Sequence, residues 1–209
     1  MTTTYCAATD VQRILASSAF SVSTTPTSTQ VESTINRFED FVDDYTGHAW
    51  RTKTVTNEYY DVLYGDKKNG FRVKLNHRNI RSLDTDEGDA LEIWNGSSWV
   101  DYVTTKTEGR ANDFWINYTD GVLFFNERPA SFMQSVKFTY RYGDSSVPTP
   151  IRDAVALLAA AEILSSDDRS ALIDETGDAS RSSHQSRIQK WTETAYELLR
   201  RYKEVVLIV

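Results

Sequence analysis

Residues 84–92, "DTDEGDALE", hold the densest run of oxygen ligands in the chain. Asp84, Asp86, Asp89 and Glu92 are the side-chain type that a hard cation such as Ca²⁺ takes. The helix–loop–helix calcium loop needs its glycine at the sixth position, whereas here Gly88 is at the fifth and the flanks read as strands. The four carboxylates are therefore metal candidates only in second place, behind an acidic solvated turn between strands. His48, His77 and His184 lie far apart in sequence, and Cys6 is the only cysteine. That pattern has no zinc-ligand spacing and allows no intrachain disulfide. Nucleophile elbows, phosphate-cradling glycine loops, H-E-x-x-H and dinucleotide fingerprints are all missing from the sequence. The expectation is a protein with no catalytic residue, no metal and no cofactor. Lys67 and Lys68 form a basic tip that could touch a phosphate, but an exposed hairpin end is the plainer reading.

The aromatic residues raise a second kind of chemistry. Trp94, Trp99, Trp115 and Tyr118 on one sheet face would stack sugar rings. They alternate as core residues do, so burial is expected instead.

Three zones would position these residues. The first is helical. Thr9 is placed to cap "DVQRIL", and Thr29 with Glu32 forms a capping box for a second helix that stops at Gly47. Val31, Ile35, Phe38, Val42 and Tyr45 make one face of that helix. The opposite face, with Glu32, Glu39, Asp40, Asp43 and Asp44, reads as solvated or as a match for the basic last helix. The second zone is strand-rich. "EIWNGSSWVDY" reads as a hairpin around Asn95-Gly96, and "NYTDGVLFF" as one around Asp120-Gly121. Val136, Phe138, Tyr140 and Tyr142 share one strand face.

The third zone opens at Pro148 with a helix that is apolar on nearly every side. Such a helix must be buried all round, by its own domain or by a neighbouring subunit. Residues 165–183 then read as an acidic loop with a short turn near Ala171, and a last helix follows. Ile188, Trp191, Ala195, Leu198, Tyr202 and Val205 form its face. The fold class is thus α+β: a helical bundle built from N- and C-terminal helices, with an inserted antiparallel β-sheet or small barrel. The expected division is residues 1–50 with 148–209 as a discontinuous helical core, and 51–147 as the β module.

The net charge of -7 disfavours general nucleic-acid binding, which needs a surplus of Lys and Arg. It suits a surface past which DNA slides. The N-terminal residues carry no secretion signal, and no apolar run reaches the ~20 residues of a membrane span, so synthesis in a cytoplasm and no membrane partner are expected.

The order of parts is more specific than any motif. "YCAATDVQRIL" opens a short helix, and "DDYTGHAWR" closes an acidic second one. "VKFTYRYGDSSVPTPIRDAVALLAAAEIL" joins an aromatic last strand, a glycine turn, a Val-Pro and a small-residue helix. The chain so resembles the head–tail connector proteins of tailed phages and related archaeal viruses, also called adaptor or head-completion proteins. The resemblance implies a virion protein at the head–tail interface, not an enzyme. It implies a ring, typically of twelve subunits, beneath the portal. Its partners would be the portal protein, further copies of itself, a downstream neck or tail protein, and passing genomic DNA bound without sequence preference. Val155, Leu158, Ala159, Trp191, Leu198 and Tyr202 are then the residues expected in subunit or core packing. Val205, Val206, Leu207, Ile208 and Val209 form an apolar run of high β-propensity, expected to dock on the portal or another partner. The alternatives are another neck or tail-completion protein, or a β-rich surface- or carbohydrate-binding module with exposed tryptophans.

Overall fold

The computed structural model describes residues 5–64, 70–127, 130, 133–166 and 178–203. The fold is α+β, with helices at both ends of the chain and antiparallel sheet between them. It divides into two units: Met1–Arg51 with Ser146–Val209, and Thr52–Ser145.

The helical unit begins with α1 (Ala8–Leu15) and α2 (Ser28–Thr46). Neither starts where the sequence pattern put it. Thr9 lies inside α1, and Asp10 reaches back instead to accept the Ala7 N–H at 3.0 Å. In α2 the capping box is Thr27 with Gln30, two residues ahead of Thr29 and Glu32. Thr27 accepts from the Gln30 N–H at 3.3 Å, and Gln30 accepts from the Thr27 N–H at 2.8 Å. That box satisfies end donors one residue after Pro26, so the helix starts as soon as the loop allows. Gly47 ends α2 at φ 72.

α4 (Thr149–Ser165) carries Pro150 in its first turn, where a missing N–H costs nothing. Its buried residues include Ile151, Ala154, Val155, Leu158, Ala159, Ala160, Ile163 and Leu164. Helices α1, α2 and α5 (Asp178–Arg200) all lie against it. The apolar circumference of α4 is thus covered within one chain, and a neighbouring subunit is not needed to explain it. Alanines on several sides let three helices approach one axis. α5 is less immersed: only Ala195 and Leu199 are fully buried among its described side chains.

The β unit holds two four-stranded antiparallel sheets. The first orders β1 (Lys53–Tyr60), β8 (Val136–Tyr142), β4 (Ala90–Trp94) and β5 (Trp99–Asp101). The second orders β2 (Leu63–Tyr64), β3 (Phe71–Lys74), β7 (Val122–Phe125) and β6 (Phe114–Asn117). A one-turn helix, α3 (Tyr102–Thr105), follows β5. One apolar cluster draws on both sheets: Leu91, Ile93, Phe138 and Tyr140 from the first, Val73, Phe114, Leu123 and Phe125 from the second. Both expected hairpins form. Trp94 pairs with Trp99 across the first, and Asn117 with Val122 across the second.

Candidate functional site

The acidic stretch closes on itself. Asp84 accepts the Asp86 N–H at 3.0 Å, capping the single turn Thr85–Glu87. The Asp84 N–H donates to Asp89 at 2.9 Å. Asp89 is buried and receives Arg141 Nη2 at 2.9 Å, which holds the guanidinium above its ordinary pKa. Glu92 pairs with Lys137. These carboxylates brace β8 against the turn. Among the described residues no three His, Cys, Asp or Glu side chains converge as metal ligands.

The histidines stay apart. His48 tilts on Trp50 with ring centroids 4.2 Å apart, His77 stacks on Tyr142 at 3.9 Å, and His184 sits on α5. Burial pushes the Cys6 thiol up to about 12, far from a nucleophilic thiolate at neutral pH. Lys67, Lys68, Ala171 and the run Val205, Val206, Leu207, Ile208 and Val209 lie outside the described residues.

Core burial of the tryptophans does not hold. Trp94, Trp99, Trp115 and Tyr118 are all only half-buried. The strand period decides this. Phe114 and Ile116 take the core side of β6, so Trp115 between them faces away, and Leu91 with Ile93 turns Trp94 outward in the same manner. The rings are nonetheless occupied. Trp115 stacks on Phe124 at 3.9 Å with the Arg110 guanidinium 4.5 Å from its centre, two contacts too close to share one face. Trp99 meets Trp94, Tyr59 and the Lys137 ammonium within 6 Å. Tyr118 donates to Glu108. A sugar ring would have to displace these contacts.

Val155, Leu158 and Ala159 sit in the chain's own helical core, while Trp191, Leu198 and Tyr202 pack half-buried against it. Arg187 covers Trp191, and Tyr202 meets Trp50 edge-on at 5.2 Å.

Three arrangements had not been read from the sequence. The first overturns the solvated acidic face of α2 in part: Asp40 and Asp44 are exposed, but Glu39 and Asp43 are not. Glu39 has no exposed surface and Asp43 is buried too. Glu39 accepts the Tyr5 N–H at 2.6 Å and pairs with Arg51 at 2.5 Å. Asp43 accepts the Tyr5 hydroxyl and, at 3.3 Å, the Trp50 N–H. Burial and the Asp43 carboxylate push the Tyr5 hydroxyl far above its ordinary pKa. One helix turn thereby fastens two distant strands of chain, residues 5 and 50–51. Glu39 and Asp43 at i, i+4 were the available signal, but their partners are long-range. The second is a polar knot in the β unit. A bulge between Val55 and Glu58, with Asn57 at φ 53, turns Glu58 toward Tyr60, Tyr140 and Asn76, all of which donate to it. Burial opposes ionisation, but the three donors outweigh it and lower the Glu58 pKa. The third is an aromatic ladder on the helical unit. Phe38, Phe41 and Tyr45 of α2 succeed one another at 6.3 and 5.9 Å, and Tyr196 of α5 lies edge-on to the last two.

No protein-family model matches the chain. No curated protein matches it either. Among solved structures, one described as the neck of an empty GTA particle computed with C6 symmetry is similar. It shares 10% identity at a TM-score of 0.44, over 88% of this chain and 87% of that one. That is a distant likeness and assigns no role to these residues.

Proposed function

We propose that this chain is a structural neck protein of a tailed viral particle, a head–tail connector that forms a ring under the portal. In this reading it is not an enzyme; it extends the DNA channel and gives the tail its docking surface. The order of parts carries the reading: two N-terminal helices, an inserted β unit, an aromatic strand running through Val147-Pro148 into α4, and a last helix returning to the first unit. That layout is the one the connector resemblance implies.

Charge supports it. A chain of net charge -7 does not retain DNA by phosphate neutralisation, so DNA passes without adhering. The carbohydrate-binding alternative is less supported, because Trp115 already stacks on Phe124 beside Arg110, and Trp99 already meets Tyr59 edge-on and Lys137.

Particles made without this protein test the reading. They should package DNA and then lose it, or fail to gain tails. Tailed, infectious particles of normal DNA content would contradict it.

A further inference from the structure

The second sheet turns one face to the apolar cluster and the other outward, and register fixes what the outward face carries. Arg72 of β3 stands opposite Phe124 of β7, and Phe124 stands opposite Trp115 of β6, so the three side chains share that face. Lys74, Val122 and Asn117 form the next row in the same way. Arg110, from the segment before β6, places its guanidinium 4.5 Å from the centre of the Trp115 ring.

The three cations Arg72, Lys74 and Arg110 are all exposed. Among the described residues no carboxylate pairs with any of them. Lys74 donates to the backbone carbonyl of Asp120, whose own carboxylate accepts from the Asn117 amide at 2.7 Å. Partial burial and the neighbouring Arg78 charge lower the Lys74 pKa, against the opposite pull of Asp120. The face thus holds positive charge that goes uncompensated in a chain of net charge -7.

The aromatic pair gives this charge a direction. Phe124 takes one side of the Trp115 ring and Arg110 the other. A guanidinium held over a ring keeps its N–H fork open at the rim, ready for a carboxylate or phosphate. Stacking also reduces the freedom that the side chain loses on binding. Arg72 and Lys74 stand about 6.6 Å apart along β3, the interval at which alternate side chains of an extended peptide recur. The Trp115–Arg110 stack stands two strands away, about 10 Å.

We infer that the outward face of the second sheet docks an extended acidic segment of a partner protein. Nucleic acid fits it less well. Duplex-binding proteins make about 6–10 phosphate contacts, more than three cations supply. A base would also find both sides of the Trp115 ring taken. An acidic segment needs only carboxylates at alternate positions. This docking goes beyond the connector role and does not depend on it.

The test titrates poly-L-glutamate into the full chain at low salt and follows the Trp115 indole and the Arg72 and Arg110 side-chain signals by NMR. Those signals should shift together and return as salt is added. Arg72→Glu with Lys74→Glu should abolish the shifts, and an unchanged melting temperature checks that the variant is folded. Arg110→Gln, which leaves β3 untouched, should weaken them. Lys190→Glu, exposed on α5 in the other unit, should leave them intact. Absence of shifts at these residues would overturn the inference, as would equal loss in the Lys190→Glu chain. Tighter binding of single-stranded or duplex DNA than of poly-L-glutamate would overturn it in favour of nucleic acid. Shifts that arise on concentrating the protein alone would put a second copy on the face and overturn it too.

Discussion

A carboxylate without exposed surface is stable only while its donors stay in place. Glu39 depends on the Tyr5 N–H and the Arg51 guanidinium, and each depends on it. Removing one partner leaves the others buried without compensation, at about 3–5 kcal/mol. Glu39→Ala should therefore lower the urea midpoint of the helical signal sharply. Asp44→Ala, on an exposed position of the same helix, should stay within about 0.5 kcal/mol. Equal effects would mean that the buried fastening contributes nothing. At His77, burial holds the folded imidazole below its ordinary value of 6.5, against the opposing pull of Glu58 and with help from Lys53. The unfolded chain then binds the proton first on acidification, so stability falls as pH drops from about 6.5 through the lower folded value. Glu58 acts in the same direction, but below its ordinary 4.5. His77→Phe keeps a ring against Tyr142 and removes the imidazole. Its melting temperature should fall less than the wild type's between about pH 7 and 5. Parallel profiles would contradict this.

Elements differ in how plainly the sequence announces them. The hairpins at Asn95-Gly96 and Asp120-Gly121 were legible because turn chemistry is local. The face of α2 was legible as a spacing, with Val31, Ile35 and Val42 fully buried. Burial of Glu39 was not, because its partners lie 34 residues upstream and 12 downstream. In "FWIN" the alternation of Phe114 and Ile116 sets Trp115 on the opposite face, but with three successive apolar residues period two could not say which face is buried. α4 was legible as a buried helix, yet its pattern did not tell cover by its own chain from cover by a neighbour. Gly121 supplies the prediction at this scale. Its φ is +64, and a Cβ there would stand 2.0 Å from the His77 carbonyl oxygen. The same turn receives the Leu75 N–H at 2.9 Å. Gly121→Ala must strain the turn and push the segment away, costing about 1–3 kcal/mol or more. Gly88→Ala, with open space around its Cβ, bears the φ strain alone and should cost less. Thermal unfolding of the two variants decides the order.

At the scale of the whole molecule the fold, α+β with an interrupted helical unit, follows from the order of helical and alternating segments in the chain. The proposed role rests on that order rather than on any cluster of reactive groups. The polar clusters that the structure reveals are fastenings: Glu39 and Asp43 in one unit, Glu58 and Asp89 in the other. They hold each unit in shape. The most direct measurement is quantitative mass spectrometry of purified tailed particles, comparing this chain with the portal subunit. A ring matched to the portal predicts one copy per portal subunit. Absence from the particle, or copies in the hundreds, would contradict the connector role.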